Sequence, residues 1–303
     1  MKFEVTILGS SSATPVFNRN PTSQLLNCNE KFYLIDCAEG TQQQLIKFGL
    51  KASKIDAVFI SHLHGDHYFG LIGLLSTMHL NGRIKPFQIF GPAPLKEILD
   101  IQFKYSETML KYELQFTALE ADFPKEIFAN GDMTVETIVL NHRIPTTGFK
   151  FKEKKRLRKV IVEKLERDNI QPEYYPLLKK GFDLTLPDGR LFKNEDYTTD
   201  SDTPKCYCYC SDTLADGSYL KDITGCTTLY HEATFLDEMV ERANVTHHTT
   251  ALQAAQVAKA SGVGKLIIGH FSSRYKVLQP LLDEAKGEFV ETELAVEGET
   301  YVI

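Results

Sequence analysis

Apolar and polar residues follow two periods along this chain. Alternation or short apolar runs predict strands at Phe3–Leu8, Ser23–Cys28, Phe32–Asp36, Ile55–Ile60, Phe87–Phe90, Leu114–Leu119, Met133–Leu140, Cys206–Cys210, Thr228–Tyr230, Lys265–Ile268, Phe289–Leu294 and Thr300–Ile303. Apolar positions three and four apart predict helices at Thr41–Phe48, His67–Leu80, Pro94–Tyr105, Phe235–Arg242, Ala251–Ser261 and Val277–Lys286. Strands come first in quick succession and later alternate with helices. That order predicts an α/β fold of two packed sheets with helices outside.

One stretch breaks the pattern. From about Lys150 to Asp196 the chain is charged and punctuated by Pro172, Pro176, Gly181, Pro187 and Gly189, which reads as an inserted arm, not a second core. Its start holds Lys150, Lys152, Lys154, Lys155, Arg156, Arg158 and Lys159 against Glu153, a local charge of +6. Such a run is usually a solvated face. Here it opposes the net charge of −6 on the 303-residue chain, so any attraction to nucleic acid must be local to this patch.

Composition narrows the class. With 43% hydrophobic and 24% charged residues the chain is ordinary globular protein. No apolar run approaches the ~20 residues of a membrane span. Glu4 sits where the apolar region of a signal peptide would begin, so the expected location is cytoplasmic. Cys206, Cys208 and Cys210 alternate and share a face; with Cys28, Cys37 and Cys226 they read as small packed hydrophobes in a reducing compartment. A soft-metal site on that face is the weaker alternative.

The chemistry concentrates in Ser61-His62-Leu63-His64-Gly65-Asp66-His67, which leaves an apolar strand. Imidazoles and a carboxylate crowd in this way where a cation offsets their desolvation, and Gly65 permits the tight turn. Further polar residues follow other strands: His142 after Met133–Leu140, Asp212 after Cys206–Cys210, and His270 after Lys265–Gly269. Together these are seven ligands, enough for two metals with Asp212 shared. His248 precedes the helix predicted at Ala251–Ser261, with Thr249 or Thr250 as N-cap. A phosphate at that N-terminus would meet amides and an imidazole, a setting for a general acid. The bland reading of His248 is a surface residue beside a cap.

These residues resemble the metallo-β-lactamase superfamily and, within it, ribonuclease Z, the tRNA 3′-processing endonuclease. The specific pieces are Tyr230-His231-Glu232-Ala233-Thr234-Phe235, His248-Thr249-Thr250 with Ala254-Ala255, His270-Phe271-Ser272-Ser273-Arg274-Tyr275, and Thr14-Pro15 followed by Arg19-Asn20. The resemblance spans nearly the whole chain. It implies one αββα four-layer sandwich over residues 1–303, with residues 150–196 as an inserted basic tRNA-binding arm. It implies two zinc ions, one on His62, His64 and His142, the other on Asp66, His67 and His270, with Asp212 shared. Asp66 would orient or deprotonate the attacking water, and Glu232 would polarise His248 as it protonates the departing ribose oxygen. Substrate contacts would come from Arg19, Asn20, Lys154, Lys155, Arg156, Arg158, Ser272 and Arg274. A homodimer acting on precursor tRNA is implied as well. Two departures stand out: Phe17 occupies a position where the family often has Lys, and the arm lacks a Gly-Pro-x-x-Gly motif.

Three other readings stand beside this one. A relative with the same metal site could hydrolyse small or cyclic nucleotide diesters, and a lactonase or glyoxalase chemistry would give the basic arm no role. A non-catalytic RNA-binding subunit fits a complete ligand set poorly.

Overall fold

Alternation puts Tyr207 and Tyr209 on one side of a strand and Cys206, Cys208 and Cys210 on the other, and this split organises the larger part of the protein. The structure, a computed structural model, describes residues 2–303; Met1 lies outside it. The chain forms two compact units, one running to Lys152 and resuming over Lys205–Ile303, the other Glu153–Pro204.

The larger unit contains two seven-stranded sheets. Its strands are β1 (Phe3–Gly9), β2 (Ser23–Cys28), β3 (Lys31–Cys37), β4 (Ile55–Phe59), β5 (Phe87–Pro92), β6 (Leu114–Leu119), β7 (Glu126–Ala129), β8 (Met133–Leu140), β9 (Thr146–Glu153), β10 (Cys206–Cys210), β11 (Thr228–Glu232), β12 (Lys265–Gly269), β13 (Thr292–Leu294) and β14 (Thr300–Val302). The first sheet has the order β14-β1-β2-β3-β4-β5-β6 and the second β13-β12-β11-β10-β9-β8-β7. Strands β3 to β6 run parallel, as do β10 to β13, so each set delivers its carboxyl ends to one edge.

Between the sheets lies an aromatic core in which Phe59 stacks on Phe90 at 4.7 Å and meets Phe151 edge-on at 5.3 Å. The opposite faces are covered by helices: α1 (Thr41–Lys47), α2 (Gly65–Tyr68), α3 (Leu71–Leu80), α4 (Pro94–Tyr105), α5 (Val240–Thr246), α6 (Ala251–Ser261) and α7 (Gln279–Glu288). Leu45, Leu74, Leu95 and Leu99 seal the first sheet; Ala254, Ala258 and Leu281 seal the second against the cysteine face. All six cysteines are buried, and none forms a disulfide among the described residues. This is the αββα sandwich. No helix among the described residues is long and apolar enough to cross a membrane.

Three local differences have physical causes. Strand β9 was hidden inside the basic run: Phe149 and Phe151 point into the core while Lys150 and Lys152 alternate outward, and Lys150 Nζ donates to the Asp222 carbonyl at 2.8 Å. The helix expected over His67–Leu80 divides at Gly70, where a Cβ would lie 2.0 Å from the Ala38 oxygen. The expected Phe289–Leu294 strand shortens because α7 continues to Glu288.

The smaller unit has a core of its own, contrary to the sequence reading: Leu165, Ile170, Leu178, Leu184, Leu186 and Tyr197 cluster among short helices and two-residue strand pairs. Prolines and charges punctuate its surface while apolar residues spaced through it collapse together. Its cations are partly paired. Arg158 meets Asp200, Lys159 lies 2.8 Å from Asp202, and Arg156 lies 3.5 Å from Glu153. Lys154 and Lys155 are exposed with no ion pair among the described residues. The +6 run is thus divided, since Lys150 and Lys152 belong to β9 of the larger unit.

Candidate metal centre

The strand ends converge. His62 follows β4, His142 follows β8, Asp212 follows β10, Glu232 closes β11 and His270 follows β12. The Thr147 amide donates to the Ser61 carbonyl at 3.0 Å, joining the two sheets at this edge. Asp36, Asp212 and His270 turn the chain with φ of 53°, 45° and 58°, the left-handed region. Non-glycine residues adopt it at some cost, and sites of function are where such conformations collect.

All seven predicted ligands come together, in two groups. His64 Nδ1 lies 3.1 Å from His62 Nε2 and 3.2 Å from His142 Nε2. Asp212 Oδ2 faces that group, 3.6 Å from His62 and 3.7 Å from His142, while its Oδ1 lies 3.1 Å from both His67 Nε2 and His270 Nε2. Asp66 Oδ2 completes the second group at 3.7 and 3.5 Å from those nitrogens. A tetrahedral ion with bonds of about 2.0–2.1 Å needs ligand atoms roughly 3.3–3.5 Å apart. The spacing fits an ion in each group with Asp212 between them.

A second observation supports the fit. His67 Nε2 and His270 Nε2 are buried and have no hydrogen-bond partner among the described residues. Their other nitrogens are engaged: His67 Nδ1 donates to Asp36 Oδ2 at 2.7 Å, and His270 Nδ1 to Thr234 Oγ1 at 3.0 Å. His142 Nδ1 donates to the His247 carbonyl at 2.9 Å, and His62 Nδ1 to Ser61 Oγ at 3.0 Å. Fixing the outer nitrogen leaves the inner lone pair for a metal. Asp36 serves both groups, because Ser61 Oγ donates to it at 2.9 Å. Tyr209 donates to it as well, at 2.6 Å.

Electrostatics point the same way. Burial pushes His62, His64 and His142 down, His142 to about 4, so they offer neutral imidazoles. Burial opposes charge on His67 too, but Asp212, Asp36 and Asp66 outweigh it and hold the imidazole well above its usual range. Burial likewise would raise Asp212 and Asp66, yet the surrounding histidines keep both below the usual carboxylate range. Such a cluster calls for positive charge.

Beside it stands a buried carboxylate–imidazole pair. Glu232 Oε1 accepts from His248 Nδ1 at 2.9 Å and from the Thr213 amide at 2.7 Å; Oε2 accepts from Thr234 Oγ1 at 2.5 Å and the Thr249 amide at 3.1 Å. Burial would lower the His248 pKa, but Glu232 wins and raises it to about 9. The His248 ring lies 5.2 Å from His142 and 5.4 Å from His270. His247 participates through its carbonyl, and its ring is farther from His142, at 6.4 Å.

Thr250 is the N-cap of α6, in a capping box with Gln253. The expectation that a phosphate meets amides here is not met. The Thr250 amide donates to Gln253 Oε1, Ala251 to Phe235 O, and Leu252 to Glu284 Oε1. The imidazole alone remains to face a substrate.

A cleft of about 460 Å³ opens over the cluster, lined among others by Ala13, Phe69, Arg143, Asp212 and His248. The Ala13 amide donates to Asp66 Oδ2 at 2.7 Å. Several residues expected to touch substrate are committed to protein. Arg19 Nη2 donates to the Tyr275 carbonyl at 2.7 Å, and Asn20 donates its amide and Nδ2 to Glu297 at 2.6 and 2.9 Å. Ser272 is buried, its Oγ accepting from Arg274 Nε at 3.2 Å. Arg274 is exposed and stacks over Phe235, 5.4 Å from the ring centre. Lys154, Lys155, Arg156 and Arg158 belong to the smaller unit. Sequence reasoning missed Asp36, Thr234, Arg143 and Glu297. Of these only Asp36, an acid closing an apolar strand like the ligands themselves, carried a visible signal.

Comparison with known proteins gives this geometry a family. A ribonuclease Z of Cytophaga hutchinsonii is 47% identical over 304 aligned residues, covering 100% of this chain and 97% of that protein. The chain belongs to the ribonuclease Z family. A ribonuclease Z of Bacteroides fragilis is 42% identical, with 98% of each chain covered. The crystal structure of human tRNase Z, short form, matches with a TM-score of 0.72 at 26% identity, covering 99% of both chains. Residues 3–157 also match the family model described as Anti-Pycsar protein Apyc1. That span includes His62–His67 and His142 but ends before Asp212, Glu232, His248 and His270, which the ribonuclease Z relatives align with.

Proposed function

We propose that the chain is a two-metal endoribonuclease that removes the 3′ trailer from precursor tRNA and leaves a tRNA 3′-hydroxyl, with zinc as its metal. The observation that carries this reading is the Glu232–His248 pair beside an Asp212-centred double ligand set, in a chain whose full-length relatives are ribonucleases Z. Divalent ions in the two groups would supply an acidified water and offset the charge of the phosphodiester. Asp66, held ionised and fixed by the Ala13 amide, would help hold the ion of its group and orient the attacking water. His248, held protonated by Glu232, gives its proton to the departing ribose 3′-oxygen. Arg19, Asn20 and Ser272 are engaged with protein atoms and would act by holding their loops in place. Arg274 and the cations Lys154, Lys155, Arg156 and Arg158 remain for the RNA backbone.

The unit 153–204 serves as the tRNA-binding arm in this reading, and the working form is a cytoplasmic homodimer. A small or cyclic diester is the less favoured substrate, because relatives matching the whole chain carry the ribonuclease Z name. Incubation with end-labelled precursor tRNA and mapping of both product ends tests the proposal. A single cut at the base of the acceptor stem, with a 3′-hydroxyl on the tRNA, is expected. Hydrolysis of small diesters with intact precursor tRNA would replace it with the alternative.

A further inference from the structure

Phe69 presents an apolar ring to solvent at the lip of the metal cleft, 62% exposed, on a turn whose neighbours Leu71, Leu74 and Leu75 are fully buried. Its ring and backbone are both in close contact with the fold. On one side the ring rests on the Cα of Gly65, where a Cβ would meet Cε2, Cζ and Cδ2 at 2.2, 2.4 and 2.7 Å. On the backbone side the next residue, Gly70, is pressed against Ala38, and its amide donates to the Cys37 carbonyl at 2.9 Å. Gly65 therefore serves the tight ligand turn and leaves room for an aromatic ring beside it.

Arg143 lines the same cleft directly after His142. It is exposed, forms no hydrogen bond or ion pair among the described residues, and is close enough for its charge to help lower the His64 pKa after burial. A guanidinium with no ion pair among the described residues and an exposed aromatic ring share one opening with the ligand cluster. An apolar ligand would use the ring and leave the cation unpaired, and a simple anion would do the reverse. A nucleotide of single-stranded RNA uses both, by stacking its base and pairing its phosphate.

We infer that Phe69 and Arg143 form a nucleotide subsite beside the scissile phosphate, in which Phe69 stacks the base of one flanking nucleotide and Arg143 pairs with a neighbouring backbone phosphate. The inference rests on the endoribonuclease reading above. Because every base has a π-face, the subsite tolerates any base while requiring that one be present. Neither residue takes part in proton transfer; both position the strand.

The test uses the full-length metal-loaded protein, single-turnover cleavage, and precursor tRNAs carrying an abasic ribose on either the 5′ or the 3′ side of the cut. Wild type should lose roughly 5- to 100-fold on one of the two abasic RNAs, the range expected for one stacked base. Phe69→Leu should lose as much on the intact RNA and nothing more on that abasic RNA. Phe69→Trp should restore most of the loss, and metal content should not change. Arg143→Gln should make the salt dependence of binding shallower by about 0.7 in log–log slope. Equal slowing of Phe69→Leu on all three RNAs, or wild-type indifference to both abasic sites, would overturn the subsite and leave the ring as a prop for the Gly65–His67 turn. If wild type leaves precursor tRNA uncut, the endoribonuclease reading fails. The subsite is then read from equilibrium binding of a short single-stranded oligoribonucleotide, and it is overturned if Phe69→Leu and wild type bind it equally.

Discussion

The two halves of the ligand cluster are built on different principles. His62, His64 and His142 are three imidazoles that burial keeps neutral. Asp66, His67 and His270 include a carboxylate and have Asp36 behind them, and there His67 is driven in the opposite direction by three acids. The first half accepts a cation; the second requires one. Support differs as well. His67 and His270 are buried and fixed through Nδ1, whereas His64 is only half-buried and no hydrogen bond holds its Nε2 among the described residues. On charge and rigidity the Asp66 half is the one expected to hold an ion more tightly.

The largest test of that division is Asp212→Ala. Its two oxygens face different halves, so both ions should be lost and cleavage should fall below detection, as metal analysis and product assays would record. Retention of an ion in one half would show that the halves fill independently. Next in size is His248→Ala, which should slow turnover by ~10²–10⁴-fold with both ions still bound. Loss of metal would move His248 into the ligand set.

Glu232→Gln sharpens the same point through pH. Glu232 overrides burial and raises His248 to about 9, so the acid stays protonated through neutral pH. Without that charge only the more distant Asp212 and Asp66 are left to oppose burial, the His248 pKa falls, and the alkaline limb of the rate profile should move to lower pH. An unmoved limb would mean that another group donates the proton. The smallest expected change comes from Asp36→Asn, which should weaken ion binding in the Asp66 half by ~10–100-fold. In chelator titrations the wild type should release the ion of the His64 half first, and this variant should narrow or reverse the order.

The ligand set was legible because its members follow apolar strands: the parallel strands β4, β10 and β12 deliver their carboxyl ends to one edge, and β8, from the antiparallel part of its sheet, brings His142 to the same place. Support behind the ligands was not. Thr234 earns no notice as a threonine after a strand, yet it links His270 to Glu232. Glu297 reads as a surface acid near the chain end, and only the tertiary fold carries it to Asn20 and Gln44. Strand β9 was obscured because Lys150 and Lys152 sit on its outward face, so charge masked alternation. The core of the 153–204 unit escaped for a related reason: its apolar residues are spread among short elements that show no period.

The left-handed turns at Asp36, Asp212 and His270 limit which ligands this scaffold could ever trade. Aspartate, asparagine and histidine are the non-glycine residues that tolerate positive φ most readily. At positions 212 and 270 the backbone and the metal therefore select from nearly the same short alphabet. Asp212→Glu or His270→Cys would keep a donor atom and still meet a backbone that disfavours the new residue. A shift in metal preference by ligand exchange would have to begin at His62, His64, Asp66, His67 or His142, whose backbones lie outside the left-handed region.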